Sequence, residues 1–545
     1  AYLVTTKPAA SVTLNSAPRT VELTFDEAVE PRFALISVTD AAAHQEVTGQ
    51  PARSAANPDT LIVPVKHVPE GWYLVYWRAI SVDGHPVQGV FTFAVGPNEG
   101  PPPQFTAPSI SATATSTPLL IARWLVFLTT MSAIGLFVLR ILIAQPVVRR
   151  VPGTSLRSLN IAFVVASVAG LIAVPAYVEE STAIDSLRGF WDFGALVPLW
   201  RTTAFERGYV DLEICFGLFV VAAAVALWLD RPLQARRTVA ALLALCGALL
   251  AAAAALALPG VSGHAAQTSP RGWAVLLDWV HVVTGSLWLG GLVGLLVLWR
   301  SLPAARRTAG LIVCVPRFSN MALVSVLLLL ASGIGASVLH LPVVSALWLT
   351  SYGKVILVKA GILALAALLA AGNLLWTKPR LDRLGVGDAA ARLLRRLVSG
   401  EALLVAGAIF AAAVLSSLAP PPPAFAEEGK ALVRVGPGPV AASVKQNGYV
   451  LRVLVAPNKA VAPNSFVLEL TRGGHPVTDA SVTLSFAMLD MQMPNQEYQL
   501  TETQPGIYRR KAPALVMVGH WALAFDVTPK GGLPFNALVE DHATG

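Results

Sequence analysis

Eight apolar runs, each long enough to cross a bilayer, fill the middle of this chain. They lie near residues 118–144, 159–179, 209–229, 238–258, 273–299, 318–340, 354–376 and 399–419. A hydrocarbon core takes about 20 helical residues to span, and it holds no water to satisfy an exposed backbone, so such runs must become helices. Of 545 residues, 54% are hydrophobic and only 13% charged, with mean hydropathy +0.61. A soluble chain of this length cannot hide that much apolar surface.

The basic residues set the orientation. Arg149, Arg150 and Arg157 follow the first run, and Arg231, Arg236 and Arg237 follow the third. Arg300, Arg306 and Arg307 follow the fifth, and the loop after the seventh carries Lys378, Arg380, Arg383, Arg392, Arg395 and Arg396. The loop after the fourth has only Arg271. Positive loops stay cytoplasmic, so both termini are expected outside, as an even number of spans requires. The net charge of +8 then reflects topology and not a nucleic-acid surface.

The flanks change pattern. In residues 1–99, "TVELTF", "TLIVPV", "YLVYWRAI" and "GVFTFAV" are β-branched and aromatic and are separated by turn residues, which predicts an all-β Greek-key sandwich. Residues 100–117 are a linker rich in Pro, Ser and Thr, 118–419 the bundle of eight spans, and 420–429 a Pro-rich linker. Residues 430–528 return to strand patterns and predict a second all-β sandwich, with 529–545 an irregular tail. The chain is therefore read as multidomain, an α-helical membrane bundle between two all-β domains. It begins "AYLVTTKPA", already domain-like, so an extracytoplasmic start implies that a signal peptide was removed. Cys215, Cys246 and Cys314 lie in or beside apolar runs and form no CxxC pair, so buried thiols are expected and no disulfide framework.

Histidine is scarce, with nine residues, and its positions narrow the chemistry. His44, His67, His475 and His542 read as ordinary surface or loop residues. In "SVDGHPVQG", Asp83 and His85 stand two apart on an extended segment and point to one side. Carboxylate oxygen with imidazole nitrogen suits Cu(II) or Zn(II), and "DGHP" is equally good turn chemistry. In "GHAAQTSPRGWAVLLDWVHVVTGSLWLGGL", Asp278 and His281 share a helical face, with Trp288 two turns on. His281 falls roughly 12 Å into the membrane, where an ionisable group is a functional candidate by default. His264 precedes this helix and His340 ends the sixth run. Glu179, Glu180, Asp211 and Glu213 fall at the same side and read as solvated interfacial acids. Met488, Met491, Met493 and Met517, four of six methionines, gather near His520. Thioethers favour Cu(I), and methionine is also a common core filler.

Three resemblances bear on these residues. "YLVYWRAISVDGHPVQGVFTFAV", with "LTFDEAVE" upstream, resembles the CopC family of periplasmic copper-binding β-sandwiches. That resemblance implies that Asp83 and His85 are Cu(II) ligands beside an amino-terminal His. Position 1 here is Ala, so that His either precedes this numbering or is missing. "GHA", "LDWVHVVTGSLWLGG" and "LTSYGKVILVKAGILALAALLAAGN" resemble the CopD family of copper-associated membrane proteins. This implies copper movement across the inner membrane, with His264, His281 and His340 in a site. Asp278 joins them by spacing alone. Residues 430–528 resemble YtkA-like domains.

The function expected is copper transport across the bacterial inner membrane, working as import. Cu(II) would bind the first domain, and Cu(I) the membrane and last domains. The partners would be copper ions, the bilayer, and a periplasmic copper chaperone or electron donor, with no nucleic acid. No GxxxxGK[ST] is present, and the chain is read as a transporter and not an enzyme. Two alternatives stay open: a membrane redox protein or oxidase-assembly factor with haem on His281 and His340, and a periplasmic copper buffer or sensor.

Overall fold

A computed structural model describes residues 3–9, 12–25, 29–40, 42, 44–80, 86–97, 116–201, 204–230, 237–341, 343–381, 387–418, 433–460, 462–489, 496–512, 514–516 and 519–544. The chain forms two compact units. One holds Ala1–Thr113, Pro342–Thr350 and Ala419–Gly545, and the other Ala114–Leu341 and Ser351–Leu418.

The amino-terminal domain has eight strands: β1 (Leu3–Lys7), β2 (Thr13–Leu14), β3 (Thr20–Phe25), β4 (Leu35–Asp40), β5 (Ala52–Arg53), β6 (Thr60–Pro64), β7 (Gly71–Ile80) and β8 (Pro86–Val95). They form two four-stranded sheets, β1-β3-β6-β5 and β2-β8-β7-β4. "TVELTF" alternates strictly, with Val21, Leu23 and Phe25 inward. Those side chains meet Val75, Trp77 and Phe93 of the other sheet in one core. β7 is buried on both faces over most of its length, which explains why "YLVYWRAI" reads as a continuous run and not an alternation. Leu74, Tyr76 and Val90, on its second face, belong to the buried cluster of the carboxy-terminal domain. Ile80 pairs with Pro86, so the stretch bearing Asp83 and His85 connects the two central strands of this sheet. Asp83 and His85 themselves lie outside the described residues.

In the carboxy-terminal domain, β9 (Val433–Val435), β10 (Val440–Gln446), β11 (Tyr449–Ala456), β12 (Asn464–Arg472), β13 (His475–Pro476), β14 (Ser481–Met488), β15 (Gln496–Gln504), β16 (Ile507–Ala512), β17 (Gly519–Thr528) and β18 (Phe535–Ala543) follow one another. Both layers of the expected sandwich are one continuous sheet, ordered β10-β11-β12-β16-β15-β14-β17-β18-β9, with β13 on β12. A register shift between Glu502 and Gln504 of β15 marks the corner, as a bulge bends a strand. The expected irregular tail is corrected here. Its Gly and Pro residues occupy only the turn, and "FNALVEDHA" pairs along β17 as β18, with Val539 and Asp541 fully buried.

The second unit has eight helices long and apolar enough to cross a membrane. They are α1 (Thr117–Arg150), α2 (Arg157–Asp185), α3 (Phe205–Leu229), α4 (Val239–Ser262), α5 (Arg271–Ser301), α6 (Ala304–His340), α7 (Ser351–Trp376) and α8 (Ala389–Leu415). The chain is a multi-pass membrane protein. α1 and α5 form its centre, whereas α6 and α7 turn most of their apolar side chains outward, as lipid contact allows. Cys314 is buried, but Cys246 is exposed on α4, because an outward membrane helix keeps its apolar residues at the surface.

Glycines let the two central helices touch. A Cβ on Gly135 would lie 2.1 Å from the Ser286 carbonyl oxygen, and one on Gly290 would lie 2.3 Å from Gly135 Cα. Gly135→Ala should therefore lower stability by about 1–3 kcal/mol, the range for overpacking a tight contact. Thermal unfolding in detergent checks this, with Gly217→Ala as control, since nothing lies within 4 Å of a Cβ there. Equal midpoints for the two variants would mean the helices separate at no cost.

Candidate metal centres

α1, α3, α5 and α7 begin at one end of the bundle, and one set of buried polar groups lies toward that end, while Arg140, Gln145 and Asp230 form another at the opposite end. His281 is ten residues into α5, about 15 Å along its axis, and Lys359 is eight residues into α7, about 12 Å. His281 Nδ1 donates to the Leu329 carbonyl oxygen of α6 at 3.1 Å and lies 3.2 Å from Ser332 Oγ. That bond places the proton on Nδ1 and leaves the Nε2 lone pair free to accept. Lys359 Nζ takes it, at 3.2 Å. Asp278, one turn before His281, acts electrostatically on Lys359 and on Tyr352. Two glycines frame the pair. A Cβ at Gly260 would lie 2.5 Å from Asp278 Oδ2, and one at Gly333 would lie 3.2 Å from His281 Cε1. The sequence-expected face of α5 is thus a junction of α4, α5, α6 and α7, with a tethered ammonium on the nitrogen that a metal would use.

His264 opens a single turn after α4, and His340 closes α6. The Thr268 hydroxyl bridges them, 2.9 Å from the His264 carbonyl oxygen and 3.2 Å from His340 Nε2. His340 Nδ1 donates to Ala336 O at 2.7 Å. His281 and His340 do not converge. Ser332, which touches His281, is eight residues or about 12 Å along α6 from His340, too far for both rings to ligate one iron. Among the described residues no group of three or more His, Cys, Asp or Glu side chains is placed to hold a metal.

Near the same end, Arg123 Nε donates to Tyr177 Oη at 2.9 Å and Nη1 to Ser417 Oγ at 2.6 Å. Tyr177 and Tyr209 rings stand 4.7 Å apart. Glu179 departs from its expected solvated position. It is 2% exposed and accepts the Trp200 indole N–H at 2.6 Å. Asp211 keeps its place near solvent, paired with Arg201 at 3.1 Å. Trp288 is buried, and its indole nitrogen has no hydrogen-bond partner among the described atoms.

In the last domain Met488 is a core side chain, opposite Trp521. Met491, Met493 and Met517 lie outside the described residues. β14 ends at Met488 and β17 begins at Gly519, so the stretches that carry them leave from one end of the sheet. His520 stands at that end, and its cross-strand partner is His542. Behind them Asp541 accepts from Asn458 Nδ2 at 2.8 Å. Burial pushes its carboxyl up to about 6, while the Asn458 bond and both imidazoles pull it down.

Sequence reasoning missed two of these residues. Lys359 was legible, because a lysine eight residues into a long apolar helix is an intramembrane charge. His542 was not, because only the β17–β18 register ties it to His520.

Comparison with known proteins adds the family. Residues 3–96 match the CopC domain, 312–415 match Copper resistance protein D, and 443–526 match the YtkA-like domain. The chain is a CopC–CopD protein with a YtkA-like domain. It is similar over nearly its whole length to the copper transport protein CutJ of Bacillus subtilis, 24% identical over 96% of this chain and 92% of that one. Its CopC domain resembles the protein YobA of Escherichia coli, 34% identical over 17% of this chain and 77% of YobA. It also resembles copper resistance protein C of Xanthomonas campestris, 32% identical over 17% of this chain and 77% of that protein. In this CopC–CopD chain His340 falls inside the matched membrane stretch, and His264, Asp278 and His281 precede it.

Proposed function

We propose that this CopC–CopD protein imports copper across the bacterial inner membrane, with both termini extracytoplasmic. Asp83 and His85 capture Cu(II) in the first domain. Met491, Met493, Met517 and His520 of the last domain hold Cu(I). Reduction between these steps takes one electron per ion from a periplasmic electron donor, and a periplasmic copper chaperone is the other partner. The ion then reaches the polar junction at the mouth of the bundle, passing His264 and His340 to His281 and Asp278.

The observation that carries this reading is the His281–Lys359 contact. An imidazole with its proton committed to Leu329 presents one lone pair, and a cation already sits on it. Copper, also a cation, reaches His281 by displacing that ammonium, and Asp278 then balances its charge. The similarity to a copper transport protein over 96% of the chain supports copper as the cargo. Intracellular copper is the direct test. Cells that express the chain should accumulate more copper than cells without it at equal external copper. A lower content would mean export, and an unchanged content would mean extracytoplasmic buffering.

A further inference from the structure

His520 and His542 meet at one end of the β17–β18 pair. They are register partners on β17 and β18, with ring centroids 4.5 Å apart and planes 26° apart. Both are half-buried. β9 pairs with β18 only as far as Asp541, and the next residue, Gly436, has no side chain to cover His542. On the other side β14 ends at Met488, and Leu489, itself buried, gives its backbone N–H to the His520 carbonyl. Beyond the pair Lys459 bridges Thr544, so the backbone stays paired and side-chain cover is missing only where Gly436 faces His542.

The charge behind the rings is unusual. Asp541 points to the opposite face from His542, as successive strand residues do. It is 0% exposed, and its Oδ2 has no hydrogen-bond partner among the described residues. Its field reaches both imidazoles. A buried carboxylate behind two imidazoles favours a cation in front of them.

We propose that His520 and His542 together bind one Cu(I) ion. Directly opposed side chains have Cβ atoms about 4.5–5.5 Å apart, so two imidazoles can converge on an ion at about 2 Å from each nitrogen. Cu(I) has a filled d shell and accepts two nearly collinear ligands; the rings are stacked here, so each would turn about its side-chain torsions to aim a nitrogen at the ion. Cu(II) prefers square-planar sets and would need donors from elsewhere. Asp541 stays outside the coordination shell and balances the charge through the sheet. This site deepens the copper reading of the last domain and rests on it only for the identity of the ion.

The test is anaerobic Cu(I) titration of the full chain in detergent against a chromophoric Cu(I) chelator. His542→Phe keeps an aromatic cross-strand pair and removes the donor, and His520→Phe does the same from the other strand. Each should lower the copper bound by one ion per chain, or weaken one site at least tenfold. His475→Phe, at an exposed histidine of β13, should spare that site. Unfolding midpoints of the Phe variants within a few degrees of the parent keep the fold in view. If both Phe variants bind like the parent, the pair is packing and the proposal fails, while copper accumulation that still depends on His281 leaves the transport reading standing. If the parent chain itself binds no Cu(I), both fail.

Discussion

His281→Ala should reduce copper accumulation by cells to the level of cells lacking the chain. The side chain supplies an imidazole inside the bundle whose Nε2 faces a cation, and alanine removes that donor outright. The variant also has a structural cost. It loses the Nδ1 bond to Leu329 and leaves Lys359 Nζ without its imidazole acceptor, about 1–3 kcal/mol. Copper accumulation is therefore compared at equal membrane protein level, and the CopC domain should still bind Cu(II). Membrane copper content and blotting separate the two effects. Normal accumulation with normal protein level would remove His281 from the pathway.

Asp278→Asn or Lys359→Met alone should destabilise the bundle by about 1–3 kcal/mol, because each leaves the other buried group without the opposite charge that acts on it. The double variant should regain most of that loss, since two neutral side chains need no compensation. It should not regain copper accumulation, because the negative charge that balances an incoming cation is gone. Thermal unfolding of the four proteins gives the coupling energy directly. Additive losses with no recovery would show that the two groups do not act on each other. Full accumulation in the double variant would make the pair a scaffold and not a part of the route.

Much of this was legible before any coordinates. Each of the eight apolar runs overlaps one span, because lipid leaves the chain no other way to satisfy its backbone, while α6 and α8 begin 14 and 10 residues before their runs. The strands of the first domain fall on its β-branched runs. The carboxy-terminal tail misled for a definite reason. Its Gly and Pro residues signal a turn, and β18 beyond them is a short strand whose burial depends on β17. Met488 looked like its neighbouring methionines, and only its partner Trp521 makes it a core residue. Glu179 looked interfacial, and the Trp200 indole that satisfies it is 21 residues away.

The sequence by itself determined the order of domains and the number of spans, because these follow from local hydropathy. It also determined that Asp83 and His85 stand together on one connection between strands. Tertiary structure alone decided which histidines share chemistry. His281 meets Lys359 across 78 residues of chain, and His520 meets His542 across a strand pairing. A hydrogen bond or a metal site depends on separations of a few ångströms between distant segments, and no local pattern in one chain encodes that distance.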